Sequence, residues 1–221
     1  MNLQETDEEL EARTRLASAV QALGHALVSH RIGPDLAHEL ADVLDGLTMR
    51  VEQCEGRDRT EEVNGVNGLA GLLSGRNGRP AIAEGAELDL FRDSIVSGTT
   101  NPLGIGLKVR RVGDTVEAIT TLRPAFEGAP GRAHGGVVAA ILDETMGFVL
   151  PLIGELAYTA NLNIDYLAPA PLGESITFTA RLRDRADRKL WIEATGASAS
   201  GPFVRAEALF LTVDFSRFAP T

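Results

Sequence analysis

Residues 134–147 decide the fold, and they read His-Gly-Gly-Val-Val-Ala-Ala-Ile-Leu-Asp-Glu-Thr-Met-Gly. As a helix this stretch is apolar on almost every side, which is typical of a helix buried in a core. Gly135 and Gly136 fall where the helix should begin, so its first backbone N–H groups are open to an acceptor and carry the positive end of the helix dipole. Asp143 and Glu144 interrupt the apolar run two turns later, and a carboxylate in a buried helix needs a partner or a task.

Alternating polar and apolar residues predict the strands around this helix. Before it, residues 107–122 alternate on both sides of the Gly113-Asp114 turn, which indicates a hairpin. After it, the same pattern predicts four strands near 158–167, 175–185, 189–199 and 203–213. Two strands, one long helix and four strands predict an α+β domain over residues 101–221, in which an antiparallel sheet covers the buried helix.

These residues also resemble a known family. His134-Gly135-Gly136 followed by Asp143, together with the run from Thr159 to Tyr166, is similar to the hotdog-fold acyl-CoA thioesterases, in the branch of the phenylacetyl-CoA-type and fatty-acyl enzymes. The resemblance covers roughly residues 101–213. It implies a hotdog fold and hydrolysis of an acyl-CoA thioester to free acid and CoA. It further implies that no metal or organic cofactor takes part, and that the protein is a homodimer or a dimer of dimers.

The loop before the helix departs from one branch of that family. Residues 126–131 read Phe-Glu-Gly-Ala-Pro-Gly and lack the asparagine that phenylacetyl-CoA-type relatives usually carry there. The resemblance therefore favours the fatty-acyl branch, and the type and length of the acyl chain stay open.

The start of the helix is the predicted oxyanion site. The resemblance assigns the Gly135 N–H to the developing oxyanion of the thioester, and His134 to orienting the loop or the substrate. The alternative for the glycines is that they only let the loop and the helix approach closely. The alternative for His134 is a hydrogen-bonded structural cap.

Asp143 is the candidate catalytic carboxylate, as a general base that activates water or as a nucleophile that forms a mixed anhydride. Thr159 matches a family hydroxyl that would hold the attacking water. Glu144 points about a quarter turn away and is the second candidate. The alternative for each acid is a side chain satisfied by its neighbours. The expected substrate-binding residues are Gly136, Glu144, Asn161, Arg188 and Lys189. Arg188 and Lys189 are expected to bind the CoA phosphates. The other cations considered for that role are Arg132, Arg181, Arg183 and Arg185.

The spacing of Gly135 and Asp143 predicts a dimer. Eight residues at ~1.5 Å rise place them about 12 Å apart along one helix, whereas reacting groups must lie roughly 3 Å from the atom between them. Two antiparallel copies of the helix across a two-fold axis can combine one donor with the other acid. We therefore expect two equivalent sites, each with Gly135 from one chain and Asp143 and Thr159 from the other.

The N-terminal half predicts an appendage. Residues 1–55 should form a helical hairpin, with helices at 6–29 and 34–54 joined by one apolar seam; the seam residues are Leu16, Val20, Leu23, Leu27, Leu36, Leu40, Val43, Leu47 and Val51. The hairpin is expected to pack on the C-terminal domain or on a second copy, and His25, His30 and His38 to be ordinary helix residues. Residues 56–100 should be a connector that covers the substrate entrance or is partly disordered. In it, Leu69–Leu73 could form a helical turn, and Phe91 and Ile95 could be anchors.

Composition limits the partners and the compartment. The net charge of −10 argues against nucleic acid and anionic membranes. The single cysteine, Cys54, fits a reducing compartment. A signal peptide is not expected, because no N-terminal stretch has a basic start followed by an apolar run. The most apolar segment, 146–153, is too short for a bilayer. We therefore expect a cytoplasmic enzyme without a membrane span. The competing hypotheses are a non-catalytic acyl-CoA-binding or regulatory hotdog module, and a hydratase, whose His-acid pattern the sequence lacks.

Overall fold

Six antiparallel strands form one sheet in the order β1-β2-β4-β5-β6-β3. The computed structural model describes residues 5–57 and 82–213. Its strands are β1 (Lys108–Val112), β2 (Thr115–Thr121), β3 (Ala157–Tyr166), β4 (Ser175–Ala186), β5 (Lys189–Ser198) and β6 (Gly201–Thr212). The predicted order of two strands, a helix and four strands is confirmed. Among the described residues, strand β3 pairs only with β6, so its other edge is open there.

The predicted core helix is α3 (Gly135–Gly147), which continues after Phe148 as α4 (Val149–Ile153). Its residues Ile141, Leu142 and Met146 are completely buried, because the concave face of the sheet supplies large aromatic and aliphatic side chains around them. An antiparallel sheet wrapped around one long helix is the hotdog fold, as expected.

The apolar stretch of this helix is longer than the sequence suggested. The segment Gly135–Ile153 is 19 residues long and apolar enough to cross a membrane, yet half of an 18-residue stretch within it is buried inside the fold. The core helix of a globular domain meets the same length and composition criteria, so this feature is weak evidence for a membrane span.

Residues 82–107, which we call the strap, cover the C-terminal half of the core helix. Leu88 and Val96 are buried in the main core, and the Phe91 ring meets Phe148 edge-on, with centroids 5.6 Å apart. Phe91 is therefore confirmed as an anchor. Ile95 is not an anchor, because 59% of it is exposed. The predicted turn at Leu69–Leu73 lies outside the described residues.

Helix α1 (Asp7–Ser29) begins with a capping box formed by Thr6 and Glu9. It docks on the domain through the face that carries Ala17 and His25, both buried. The Nδ1 atom of His25 accepts a hydrogen bond of 3.1 Å from the Ala125 N–H, and its ring meets Phe126 edge-on. The sequence reading of His25 as an ordinary helix residue is therefore wrong.

Charged side chains complete the docking of α1 on the strap. Arg13 donates to Asp93 at 2.7 Å and to Thr100 at 3.2 Å, while Gln21 donates to the Asn101 carbonyl at 2.8 Å. Burial acts to raise the pKa of Asp93, but its bonds with Arg57 and Thr100 and the charges of Arg57 and Arg13 outweigh burial and hold the pKa below its ordinary value.

Helix α2 (Pro34–Glu52) begins with Pro34 at its first position, as expected, but buries no residue. Both N-terminal helices are confirmed, whereas the apolar seam between them is not formed within the described chain. The reason is local, because His30 and Gly33 are extended and carry α2 away from α1. In addition, the C-terminal domain binds a neighbouring face of α1, so the α1 seam residues Leu16 and Val20 stay exposed.

Candidate active site

The two glycines at the start of α3 have different surroundings. His134 is the N-cap residue, and its Nδ1 atom accepts the Gly136 N–H at 3.0 Å. A Cβ on Gly136 would lie 3.1 Å from that nitrogen, so the cap needs a glycine there. The Gly135 N–H has no acceptor among residues 5–57 and 82–213. It is therefore the open donor of the first turn, as the oxyanion role requires.

Tyr166, at the end of β3, completes this part of the site. Its hydroxyl donates to the Gly135 carbonyl at 2.8 Å, and a Cβ on Gly135 would stand 3.4 Å from the phenol oxygen. A cleft of about 380 Å³ opens here between Arg132, Val138 and Tyr166. Sequence reasoning placed Tyr166 on the strand but missed its position in the site. The signal was available, because Leu162, Ile164 and Tyr166 are two residues apart and share the face toward the helix.

Asp143 and Thr159 meet further along the same boundary between α3 and β3, and we call this boundary, from Gly135 and Tyr166 to Asp143 and Thr159, the groove. The Thr159 hydroxyl donates to Asp143 Oδ1 at 2.8 Å. Thr159 pairs with buried Phe210, so its side chain lies on the helix side of the sheet. Within the described part of the chain, Asp143 Oδ2 has no partner, and Thr159 is exposed. A carboxylate with one oxygen held and the other open can accept a proton or attack a carbonyl carbon.

Glu144 faces the strap instead of the groove. Ser94 and Ser97 both donate their hydroxyls to Glu144 Oε1, each at 2.6 Å. One step along a helix turns a side chain by about 100°, which is enough to separate the roles of the two neighbouring acids. The structure thus holds Glu144 as the anchor of the strap and does not bring it to the predicted substrate.

Asn161 lies on the face of the sheet that the helix does not cover. A register shift follows Thr159, after which Asn161 pairs with Leu209 while Leu162 pairs with buried Ala208. Because neighbouring residues of a strand point to opposite faces, Asn161 points away from Asp143. The structure gives its predicted substrate-binding role no support.

Arg188 and Lys189 lie beside each other at the turn between β4 and β5. Arg188 donates twice to the Thr212 carbonyl, at 2.9 and 3.1 Å. Lys189 pairs with Leu211 on the outer face, next to buried Leu190. Both residues line an outer cleft with Trp191, but the structure does not bring them to the groove of Gly135 and Asp143.

The remaining arginines of the predicted set differ in their partners. Three of them form ion pairs on the sheet: Arg181 with Glu193, Arg183 with Glu207 and Arg185 with Glu155. Arg132 instead lines the cleft beside Gly135 and has no side-chain partner among the described residues. It is the cation best placed for an anionic ligand that enters the groove.

Within residues 5–57 and 82–213, no group of three or more His, Cys, Asp or Glu side chains is arranged to hold a metal ion. The site consists of two parts on one groove, bounded by α3 and the open edge strand β3. Gly135 and Tyr166 form one part, and Asp143 and Thr159 form the other. The eight residues between Gly135 and Asp143 correspond to about 12 Å of helix.

A hotdog sheet around a helix that offers a free N–H at its start and a carboxylate two turns later defines the thioesterase class of site. The match with known proteins agrees, because residues 130–199 fit the Thioesterase superfamily. The matched residues hold the core helix and the strands β3, β4 and β5.

Curated relatives match the same half of the chain. The acyl-coenzyme A thioesterase THEM4 of Rattus norvegicus is 38% identical over 91 residues, which is 40% of this chain and 39% of the relative. The acyl-coenzyme A thioesterase THEM5 of Mus musculus is 35% identical over 85 residues, 38% of this chain and 34% of the relative. This chain thus matches less than half the length of these relatives.

A solved structure resembles almost the whole chain. The crystal structure of a thioesterase superfamily protein aligns over 90% of each chain with a TM-score of 0.71 and 24% sequence identity. This likeness concerns the fold.

Proposed function

We propose that this protein is a cytoplasmic acyl-CoA thioesterase, which hydrolyses an acyl-CoA to a free acid and CoA. The observation that carries the proposal is the pair of half-sites on one groove: the unengaged Gly135 N–H at the start of the core helix, and Asp143 held by Thr159 with its Oδ2 open. Relatives named as acyl-coenzyme A thioesterases match this region. The lone exposed cysteine fits a reducing compartment.

The active unit of the proposal is a homodimer. One helix holds its donor and its acid about 12 Å apart, too far for one thioester. The open edge of β3 offers unpaired backbone groups that a second copy of β3 could pair with. Tyr158 and Leu167, at the two ends of β3, are more than half exposed, as expected of a surface that a partner covers. A two-fold axis perpendicular to β3 at this edge makes the two copies antiparallel and would set Gly135 of one subunit against the partner's Asp143.

The proposed reaction uses each half-site once. The thioester carbonyl oxygen accepts the Gly135 N–H, and the negative charge that develops on it lies at the positive end of the helix dipole. Asp143 Oδ2 of the second subunit takes a proton from a water whose oxygen attacks the carbonyl carbon. The C–S bond then breaks, and the CoA thiolate takes up that proton. In the second route from the same geometry, Oδ2 attacks the carbon, the C–S bond breaks and the CoA thiolate leaves. Water then hydrolyses the resulting anhydride to the free acid and the Asp143 carboxylate, and its remaining proton goes to the thiolate.

The Thr159 hydroxyl has a positioning role in both routes. Its hydrogen bond fixes Asp143 Oδ1 and leaves Oδ2 as the reactive oxygen. Arg132, beside the cleft of Gly135, is the proposed contact for a CoA phosphate. Neither Asn161 nor the pair Arg188 and Lys189 takes part, because their positions lie outside the groove.

The decisive experiment compares two neighbouring carboxylates. We expect Asp143→Asn to slow hydrolysis by about 100- to 10,000-fold, the usual range for a lost acid–base group, while acyl-CoA binding is retained. The matched control is Glu144→Gln, which keeps an acceptor for Ser94 and Ser97 and should retain hydrolysis. Release of free thiol from a panel of acyl-CoA substrates gives the rates.

Two results would contradict this proposal. Unchanged hydrolysis by Asp143→Asn would remove Asp143 from the chemistry. Tight binding of acyl-CoA by the unsubstituted protein without any thiol release would favour a binding or regulatory module.

A further inference from the structure

Helix α2 carries an apolar stripe that no helix or strand of the described chain covers. The stripe residues recur at spacings of four, three, four and four: Leu36, Leu40, Val43, Leu47 and Val51. Val43 is 54% exposed and Leu47 is 47% exposed. Most of the stability of a protein helix comes from tertiary packing of its apolar face, and α2 buries no residue. The stripe therefore requires a partner.

Helix α1 has a stripe of the same length and spacing, formed by Leu16, Val20, Leu23 and Leu27. Leu16 is 61% exposed, because the domain binds the neighbouring face with Ala17 and His25. Each stripe spans eleven residue steps from its first to its fourth member, about 16 Å. Spacings of four, three and four on both helices suit the interlocking of side chains seen in coiled coils.

The charges of the two helices favour their pairing with each other over the pairing of like helices. Residues 12–31, which contain the α1 stripe, hold three arginines and no acid: Arg13, Arg15 and Arg31. Residues 34–52 hold five acids and one base: Asp35, Glu39, Asp42, Asp45, Glu52 and Arg50. Two α2 helices would repel each other, and an anionic membrane would repel α2 as well. By contrast, α2 packed over residues 12–31 joins a net charge of −4 to one of +3, because the four acids of α1 all lie earlier, within residues 7–11. Of these three arginines, Arg13 is already paired with Asp93.

The local backbone directs α2 away from its own α1. His30 and Gly33 are extended between the two helices. At the same time, α1 is held beside Phe126, whose carbonyl accepts the His134 N–H at 2.8 Å. This contact places α1 next to the loop that opens the core helix.

We propose that the two subunits exchange these helices, so that α2 of each subunit packs antiparallel on α1 of the other. The antiparallel arrangement sets Leu36 opposite the partner's Leu27, and Val43 opposite the partner's Val20. The inference rests on the dimer of the proposed function, but it makes no use of the chemistry. Its consequence is that residues outside the thioesterase domain would hold the two half-sites together.

Disulfide trapping between two different chains tests the exchange. Both chains carry Cys54→Ser, which removes the exposed native thiol. One chain carries Val20→Cys and one tag, the other carries Val43→Cys and a second tag, and the two are co-expressed and oxidised. We expect a disulfide-linked product that holds both tags and has about twice the 23.5 kDa mass of the chain.

The matched control replaces Val43→Cys by Met49→Cys. Met49 is 60% exposed and lies on the side of α2 opposite the stripe, so we expect no two-tag product. Hydrogen exchange on the unsubstituted protein gives a second readout, in which the α2 amides are expected to be protected.

Three outcomes would overturn the inference. The first is a two-tag product that forms as readily from Met49→Cys, and the second is rapid exchange of the α2 amides. The third is a disulfide that forms only inside a chain carrying both Val20→Cys and Val43→Cys, which means that the helices close within one subunit. Thiol release by the same samples separates the two proposals. Disulfide trapping without hydrolysis would contradict the thioesterase function and support the helix exchange. Hydrolysis without trapping would support the thioesterase function and contradict the helix exchange.

Discussion

Gly135 and Gly136 are adjacent in the sequence but are required for different reasons. Gly136 leaves room for the His134 ring, which uses the Gly136 N–H to cap the helix. Gly135 keeps its own N–H unengaged, and its carbonyl accepts the Tyr166 hydroxyl. The structure thus gives His134 the cap that was its structural alternative, and it leaves the Gly135 N–H available for the proposed oxyanion role.

This division predicts that Gly135→Pro removes the oxyanion donor without breaking the helix. Proline lacks an N–H and is favoured at the first helical position, and His134 already has the extended backbone that precedes proline. We expect kcat to fall by about 100- to 1,000-fold, the usual cost of one oxyanion donor, with unfolding little changed. Steady-state thiol release and thermal unfolding measure the two effects.

Gly135→Ala is the matched control, because it retains the N–H and places a Cβ in ordinary contact with Tyr166, 3.4 Å away. Equal activity losses for the proline and alanine variants would mean that the cause is steric, and would remove the Gly135 N–H from the mechanism.

Glu144 should act on stability and not on chemistry. Glu144→Ala leaves Ser97, which is buried, and its neighbour Ser94 without their acceptor. We expect the free energy of unfolding to fall by about 1–3 kcal/mol, the cost of an unsatisfied buried group, while kcat of the folded protein is retained. Urea unfolding of this variant beside Glu144→Gln measures the loss. A selective loss of kcat with full stability would instead return Glu144 to the active site.

The resemblance to the thioesterase family indicated Gly135, Asp143 and Thr159 as site candidates, whereas residue types and spacings alone left the structural alternatives open. The resemblance also ranked Asp143 above Glu144, but the sequence did not predict the partners of Glu144, because Ser94 and Ser97 lie about 50 residues away in an irregular segment. The spacing of neighbouring residues cannot predict a contact between segments so far apart in the chain. Asn161 was misplaced for a related reason, since a register shift next to Thr159 reverses the face of every later residue on the strand.

At the level of elements, α1 is attached to the domain by a histidine that must stay neutral. Burial first, and the charge of Arg123 second, lower the pKa of His25. His25 Nδ1 accepts the Ala125 N–H, so a proton on that nitrogen would remove the acceptor. Amphipathic spacing predicted the helix but not this contact, which depends on the short 3₁₀ helix Pro124–Phe126 folding against it.

The docking of α1 should therefore weaken in mild acid. A group whose folded-state pKa is lowered contributes its full stability above its ordinary pKa of about 6.5. That contribution is lost as the pH falls below 6.5 through the lowered value. We expect the α1 amides to lose protection from hydrogen exchange between about pH 7 and pH 5, a range above the ordinary pKa of Asp93 near 3.9.

His25→Gln is the control for this titration, because it offers an acceptor that does not ionise. We expect the pH dependence of α1 protection to disappear in this variant. If the variant shows the same loss of protection between pH 7 and pH 5, the titrating group is not His25.

The whole molecule combines a domain that the sequence predicts well with attachments that it predicts poorly. The sheet and the core helix follow from alternation and from an apolar helix, because the physical reason for each is local. The path of the strap and the open seam of α2 depend on contacts between distant segments. The proposed active site also depends on contacts between distant parts, because the Gly135–Tyr166 pair and the Asp143–Thr159 pair lie apart in one chain and a second chain is needed to bring them together.

The most direct test of this assembly is complementation between two inactive chains. Gly135→Pro and Asp143→Asn chains, carrying different tags, are co-expressed, and the mixed dimer is isolated through both tags. One of its two sites contains both substitutions, and the other is unsubstituted. We predict that the mixed dimer recovers about half of the thiol-release activity of the unsubstituted dimer, as expected for one intact site of two. A mixed dimer as inactive as its two parents would contradict a site shared between subunits.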